Sequence, residues 1–544
     1  MMHIQMNGKT IEVEGKKRIL DLIEGDPTLY QAARVNNRIR ELNYVLPDQD
    51  CTIELLDLCD SHATNIYQCT LRYLVVMAIE RVYPQAKVVF NYSVSRSIFA
   101  SVSNINHAFM QEDLDRIEKE LEQIIAANLP IRRFSISKEE ARQYYEKIGY
   151  KDKVKILKYR PEDTVHMYEC GDYRNYMFGY MLPSTAYIKD YQLKLYSPGF
   201  IIRYPRSEAK GQIPPFKDEK VFQLALKEAN KWGNITTSSY IFQMNEIIES
   251  KRALEFINIC ETRHNNQLCQ LGERIKNDID TIRLIAVAGP SSSGKTTFTN
   301  RLRIELKSLG IDPLMISVDD FYNQGHLAPL DEYGKPDFEH IDALDRKLFN
   351  EVIYKLIAGE KVRLPHYNFK TQCRTFSEPI QLKTHQPILI EGIHALNDDL
   401  TPSIANELKY KIYIAPQAQL HIDDHNPISL SDIRLIRRMV RDFEYRNSPA
   451  EQTMEMWPSV RRGEFKWIYP FQSNAELSYE LCVLKKHALP LLESITPDSP
   501  YFITANRLIK FLKYFKDISD KWIPCNSILR EFIGGSIFYT EDTV

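Results

Sequence analysis

Long apolar runs are missing from this chain. The most compact one beside a helical pattern runs from Leu74 to Ile79 and is closed by Glu80 and Arg81, which excludes a bilayer-spanning role. Paired cysteines are missing too. The 9 cysteines are odd in number and form no C-x-x-C pair, so a disulfide framework is disfavoured and free thiols in a reducing cytosol are expected. The first residues show no basic segment followed by an apolar one, so no secretory leader is expected and a cytoplasmic location is. Excess charge of one sign is absent: 70 Lys and Arg face 72 Asp and Glu, which argues against a broad nucleic-acid-coating surface but permits a local basic patch. No low-complexity tract or short repeat occurs. What remains is an ordinary globular composition, 44% hydrophobic and 26% charged over 544 residues, enough for about three or four domains.

The most informative stretch is Gly289-Pro-Ser-Ser-Ser-Gly-Lys-Thr296, a complete G-x-x-x-x-G-K-[ST] phosphate-binding loop. Its context fits. Arg283-Leu-Ile-Ala-Val-Ala288 reads as a buried parallel strand, and Phe298, Leu302, Leu306 and Leu309 carry helical spacing that stops at Gly310. Glycines let the backbone wrap an anion, and the N–H groups at the helix start supply positive potential. Gly289, Pro290, Ser291, Ser292, Ser293, Gly294, Lys295, Thr296 and Thr297 are therefore expected to hold ATP. Lys295 would reach the β- and γ-phosphates, and the Thr296 hydroxyl would sit on Mg²⁺.

Apolar stretches at Leu284–Ala288, Leu314–Val318, Ile388–Ile390 and Ile412–Ala415 fit parallel strands separated by helical segments, which predicts a doubly wound sheet. The second stretch ends in Asp319-Asp320, where a carboxylate could take a proton from an attacking hydroxyl. The third ends in Glu391, a placement suited to Mg²⁺. Arg434, Arg437, Arg438 and Arg441 fall largely on one helical face, with Arg446 beyond. That pattern describes either a solvated basic face or a lid that carries guanidinium groups to a transferring phosphoryl.

Together, the phosphate loop, Ser317-Val-Asp-Asp-Phe-Tyr322, Pro365-His-Tyr-Asn-Phe369, Glu391-Gly-Ile-His394 and Arg437-Arg-Met-Val-Arg-Asp442 resemble the uridine kinase and phosphoribulokinase family. The resemblance implies that Asp319 is the base and shares the metal with Thr296 and Glu391. It implies that Lys295, Arg438 and Arg441 serve phosphoryl transfer, and that Tyr322, Glu339, Tyr367, Gln372 and Arg438 hold the nucleoside. Three positions depart from the family pattern. Glu339 replaces an aspartate, Gln372 a histidine and Ser448 a lid arginine, and the last two of those family residues read the base.

Ahead of the loop, Ile4 to Val13 reads as a hairpin turning at Asn7-Gly8, followed by a short helix from Ile19 and a closing strand from Cys51; the unit resembles a TGS domain. Met77-Ala-Ile-Glu-Arg-Val-Tyr-Pro and Gly171-Asp-Tyr-Arg-Asn-Tyr-Met-Phe-Gly-Tyr-Met181 resemble the editing domain of threonyl-tRNA synthetases. That domain uses an H-x-x-x-H and a C-x-x-x-H pair; here the matching positions are Cys69, Tyr73, Met177 and Met181, and an aspartate is replaced by Asn175. Such groups cannot make a His-rich zinc site. The expected organisation is multidomain, α+β and α/β. A β-grasp-like TGS domain spans 1–60, a catalytically silent editing-like domain 61–225, and a helical connector 226–280. A P-loop domain with a doubly wound parallel sheet spans 281–500, and a C-terminal tail 501–544. The expected activity is ATP- and Mg²⁺-dependent phosphorylation of a nucleoside 5′-hydroxyl, uridine or cytidine leading. A phosphoribulokinase-like acceptor and a nucleotide-gated RNA-binding role stay open as alternatives. A nucleoside is the expected partner, with no membrane contact; a weak tRNA or RNA contact through the N-terminal domains and homo-oligomerisation are left open.

Overall fold

A computed structural model of the chain describes residues 2–538 apart from Asn7, Glu219, 324–326, 331–333, 335–336, 369–370, Gln372, 417–418, 468–472 and Glu476. Asn7 of the expected turn and Gln372 of the expected nucleoside site thus lie outside the described residues. Among the described residues, no helix is long and apolar enough to cross a membrane.

The first domain is a five-stranded sheet in the order Lys9–Val13, Met2–Met6, Cys51–Leu56, Ala32–Val35, Arg38–Arg40. Met2–Met6 and Cys51–Leu56 run parallel, and the other neighbours antiparallel. In Cys51–Leu56, Cys51 and Ile53 are buried while Thr52 and Glu54 are exposed, as expected of a sheet covered on one face. The helix expected at Ile19 is a single 3-10 turn, Ile19–Leu22. The second domain is built on helix Ser61–Val82, capped by Asp60 and buried on nearly every side from Ala63 to Ile79. Two antiparallel sheets accompany it, one of four strands and one of three. The two domains share one hydrophobic core, in which Ile4 and Ile53 belong with Tyr67, Phe90 and Phe200.

Helices Lys220–Ile235, Ile241–Glu249 and Ala253–Asn277 lead into the third unit, a five-stranded parallel sheet. Its order is Leu314–Ser317, Ile388–Glu391, Leu284–Ala288, Lys409–Pro416, Ser473–Ala475. Alternate residues feed opposite faces. Ile285, Val287, Leu389, Ile412 and Ile414 pack with the connector helices and with helix Leu430–Arg446, whereas Leu284, Ala286, Ile316, Ile388 and Ile390 pack with helix Arg346–Ile357. The second strand stops at Ser317, one residue earlier than expected, because Val318 opens a 3-10 turn; the third extends to Glu391. The edge strand Ser473–Ala475 is short and polar and carries no apolar signal. Residues 501–538 are folded rather than trailing. Leu508, Phe511, Phe515, Leu529 and Phe532 join the core that holds Ile285 and the lid residues Ile433 and Ile436.

Between Lys409–Pro416 and the lid helix Leu430–Arg446, the chain makes a hairpin of His421–Asp423 and Asn426–Pro427 that inserts into the second domain. The His425 carbonyl accepts from Arg72 Nη1 at 2.6 Å, and His425 Nδ1 lies 3.0 Å from Asn175 Nδ2. The Phe178 N–H donates to Asn426 Oδ1 at 2.8 Å, and the Phe90 N–H donates to the Asp424 carbonyl at 2.9 Å. Lys153 and Asp423 form a fully buried ion pair at 3.1 Å. Cys69, Tyr73, Met177 and Met181, the positions expected to match the ligand pairs, and Asn175 are all buried, and Asn175 touches the insertion through His425. Tyr73 Oη donates towards the carbonyls of Tyr168 and Tyr173.

Two outcomes test this docking. Lys153→Ala leaves the Asp423 carboxylate buried without its counter-ion and should cost about 3–5 kcal/mol, read as a lower urea midpoint. Asp152, which accepts from the Asp424 N–H at 2.8 Å, is pushed up to about 6 by burial, with Asp424 and Asp423 adding to the shift. Its folded-state value is raised, so the group costs stability as pH climbs from the ordinary carboxylate range through about 6. Asp152→Asn should therefore raise the melting temperature above pH 6, with the gain shrinking towards pH 4.

Candidate active site

The loop conformation follows from its small residues. A Cβ on Gly289 would run into the Ile414 carbonyl oxygen, and Gly294 holds φ +91° where the loop enters helix Lys295–Ser308. Ser292 is also left-handed, at φ +61°. The hydroxyls of Ser292, Ser293 and Thr297 are buried with no hydrogen-bond partner among the described residues. A loop at a helix start with buried, unused hydroxyls fits an oxyanion-rich ligand such as a nucleotide phosphate.

Acidic side chains face this loop from the neighbouring strands. Glu391 is 4% exposed; Ser317 Oγ donates to its Oε1 at 3.1 Å, and its Oε2 has no partner among the described residues. Burial pushes its carboxyl up to about 7, opposed by Lys295 and reinforced by Asp319. The Asp319 carboxyl is raised as well, by burial first, with Lys295, Arg446 and Arg441 pulling the other way. These groups therefore act on one another as a single electrostatic unit. The adjacent acid is used differently. Asp320 Oδ1 accepts from the Tyr367 N–H at 3.2 Å and lies 3.0 Å from His366 Nδ1, so it ties hairpin Pro365–Asn368 / Cys373–Phe376 to the turn. Of the two neighbouring aspartates, Asp319 is the one that senses Lys295 and the lid.

The lid helix Leu430–Arg446 divides its arginines. Arg437 is fully buried against Glu480, with Nε 2.6 Å from Oε2, and is structural. Arg434 Nη2 donates to the Ser291 carbonyl at 3.1 Å, and Arg438 Nη1 to Ser291 Oγ at 2.7 Å, so the lid is bonded directly to the phosphate loop. Asp442 gathers Arg438, Arg441 and Arg446 at 3.2, 2.7 and 3.5 Å. A solvated basic face is thereby excluded for Arg434, Arg437 and Arg438, all of them buried.

On the acceptor side, the rings of Tyr322 and Tyr367 lie 5.9 Å apart, and Tyr322 Oη donates to the Phe338 carbonyl at 3.0 Å. Glu339 is close enough to bear on both Tyr322 and Arg438. Arg374 gave no sequence signal, yet it braces this wall. It donates to Asp345 Oδ2 at 3.0 Å and to the carbonyls of Phe321 and Tyr322 at 3.3 and 2.7 Å. Ser448, in place of a lid arginine, donates its N–H to the Asp442 carbonyl at 3.0 Å.

Residues 284–485 match the model of the phosphoribulokinase / uridine kinase family. The C-terminal unit is similar to that family over this span. The N-terminal region matches threonine–tRNA ligases. That of Clostridium kluyveri is 30% identical over 192 residues, which make up 34% of this chain and 30% of the ligase. That of Acetivibrio thermocellus is 29% identical over 163 residues, 30% of this chain and 25% of the ligase. The match thus spans under a third of the length of these relatives. The solved structure of a possible uridine kinase from Bacillus stearothermophilus is 21% identical, covers 26% of this chain and 80% of that one, and superposes with a TM-score of 0.21, too slight a likeness to argue from.

Arg374→Ala should free the turn that carries Asp319 and Tyr322 and lower stability by about 1–3 kcal/mol in calorimetry, through the carbonyls and the carboxylate it leaves unsatisfied.

Proposed function

We propose that this chain transfers the γ-phosphoryl group of ATP to the 5′-hydroxyl of a nucleoside, with uridine or cytidine the leading acceptors. The observation that carries the reading is the setting of Asp319. It lies within electrostatic reach of Lys295 and the lid on one side and of Tyr322, with its neighbour Tyr367, on the other. A carboxylate there can serve both a phosphate and an attacking hydroxyl.

ATP with Mg²⁺ fits the residues present. The loop N–H groups of 289–297 and Lys295 would hold the phosphates, and the Thr296 hydroxyl, Glu391 and Asp319 offer the hard oxygen donors Mg²⁺ prefers. When bound, Mg²⁺-ATP supplies the phosphoryl group and part of the charge neutralisation. The rest falls to this chain. Asp319, made more basic by burial, accepts the proton of the acceptor hydroxyl. Arg438 and Arg441 shift from Ser291 and Asp442 towards phosphate oxygens as negative charge moves across the site. Glu339 reaches for the ribose hydroxyls, with Tyr322 and Tyr367 as the wall against which the nucleoside lies. Catalysis is then chiefly positioning and charge compensation with water excluded. The contacts of the second domain with the hairpin 421–427 support its reading as a docking module rather than a second hydrolytic centre.

Purified protein with Mg-ATP and a panel of nucleosides should yield the nucleoside 5′-monophosphate, fastest with uridine or cytidine. Lys295→Ala and Asp319→Asn should each lower turnover by about 10³-fold or more with the circular dichroism spectrum unchanged. Near-normal turnover in either variant overturns the assignment.

A further inference from the structure

The C-terminal segment returns to the phosphate loop. The side chain of Ile528 lies against Gly294, where even a Cβ would collide with it. One turn later, Glu531 Oε2 accepts the backbone N–H of Thr297 at 3.2 Å, with both residues buried. Thr297 is the third residue of the helix that the loop opens, so its N–H belongs to the ring of donors that a nucleotide phosphate requires. A carboxylate at that position also places negative charge at the positive end of the helix, where phosphate has to go. Glu531 bears on Glu391 as well, across the same loop.

The segment is fastened on several sides. Ser527 Oγ donates to Glu261 Oε1 at 2.6 Å, a buried carboxylate on connector helix Ala253–Asn277 that also accepts from Tyr479 Oη at 2.8 Å and pairs with Arg301 of the loop helix at 3.5 Å. Arg530 Nη2 donates to the carbonyls of Asp520 and Ile523 at 2.8 and 2.7 Å. The Arg530 carbonyl accepts from Tyr445 Oη of the lid helix at 3.2 Å, and Phe532 lies under the Arg437 guanidinium, 5.2 Å from its ring centre. One short helix, Arg530–Ile533, thus touches the phosphate loop and the lid together.

We propose that residues 527–533 form an autoinhibitory strap, with Glu531 as a phosphate surrogate that an incoming nucleotide must displace from Thr297. The proposal rests on the ATP-binding role put forward above and adds regulation to it. With the strap seated, the loop donor is satisfied and the lid arginines stay bonded to Ser291. Displacement by the nucleotide frees both at once, so binding and lid release are one event. Only the fraction of molecules with the strap displaced binds tightly, so removing the competing charge raises apparent affinity.

The test is the affinity of the full-length protein for a non-hydrolysable ATP analogue with Mg²⁺, measured by calorimetry without any acceptor. Glu531→Gln keeps an oxygen for the Thr297 N–H but removes the charge, and Glu531→Ala removes both. Each should tighten binding by about tenfold relative to the natural chain. Hydrogen exchange on the natural chain needs no variant, and the amides of 527–533 should exchange faster when the analogue is bound. A purely structural cap at the helix start gives the opposite pattern, with equal or weaker affinity in both variants and equal or slower exchange. That result overturns the strap. Because no acceptor is present, failure of the nucleoside assignment leaves these readouts unchanged, whereas loss of nucleotide binding by the natural chain and both variants overturns strap and kinase reading together.

Discussion

The register of the parallel strands decides which side chains meet at the active edge. Leu284 lies opposite Ile388, and Ile388 opposite Leu314, so three positions on, Val287, Glu391 and Ser317 stand level. The loop leaves one residue beyond Val287's neighbour Ala288, and Lys295 acts on the buried Glu391 and the half-buried Asp319. Burial raises the carboxyls of Asp319 and Glu391; Lys295 opposes it at both, Arg446 and Arg441 at Asp319 and the Ser317 hydrogen bond at Glu391. A slip of one residue in any of these strands would separate the charges and leave each uncompensated. The register in turn rests on apolar packing on both faces of the sheet, to which the connector helices and the C-terminal segment contribute.

The N-terminal half serves that arrangement from a distance. Its second domain receives the hairpin 421–427, which is held by Arg72, Asn175 and Lys153. The hairpin runs directly into the lid helix, so the docking contact and the lid share one continuous stretch of chain.

Much of the site was legible in the sequence because its constraints are local. Gly289 and Gly294 are demanded by close backbone approach and a positive φ, and Glu391 stands out as a carboxylate ending an apolar run. Asp319 and Asp320 could not be told apart locally. They are separated by His366 and Tyr367, some way along the chain, which engage Asp320 alone. The lid arginines were legible as a group but not in their division of labour, since Glu480 claims Arg437 from a different helix. The hairpin 421–427 reads as an ordinary polar loop because its partners lie in another domain. Arg374, the edge strand Ser473–Ala475 and the return of Glu531 to Thr297 are likewise set by contacts distant in sequence.

The most direct measurement of the central claim follows the label. Full-length protein is incubated with Mg²⁺ and ATP labelled in its γ-phosphate, together with uridine or cytidine. Label is expected in the nucleoside 5′-monophosphate, in amounts matching the ADP formed. Label found only in inorganic phosphate, or retained in ATP for every nucleoside offered, contradicts it.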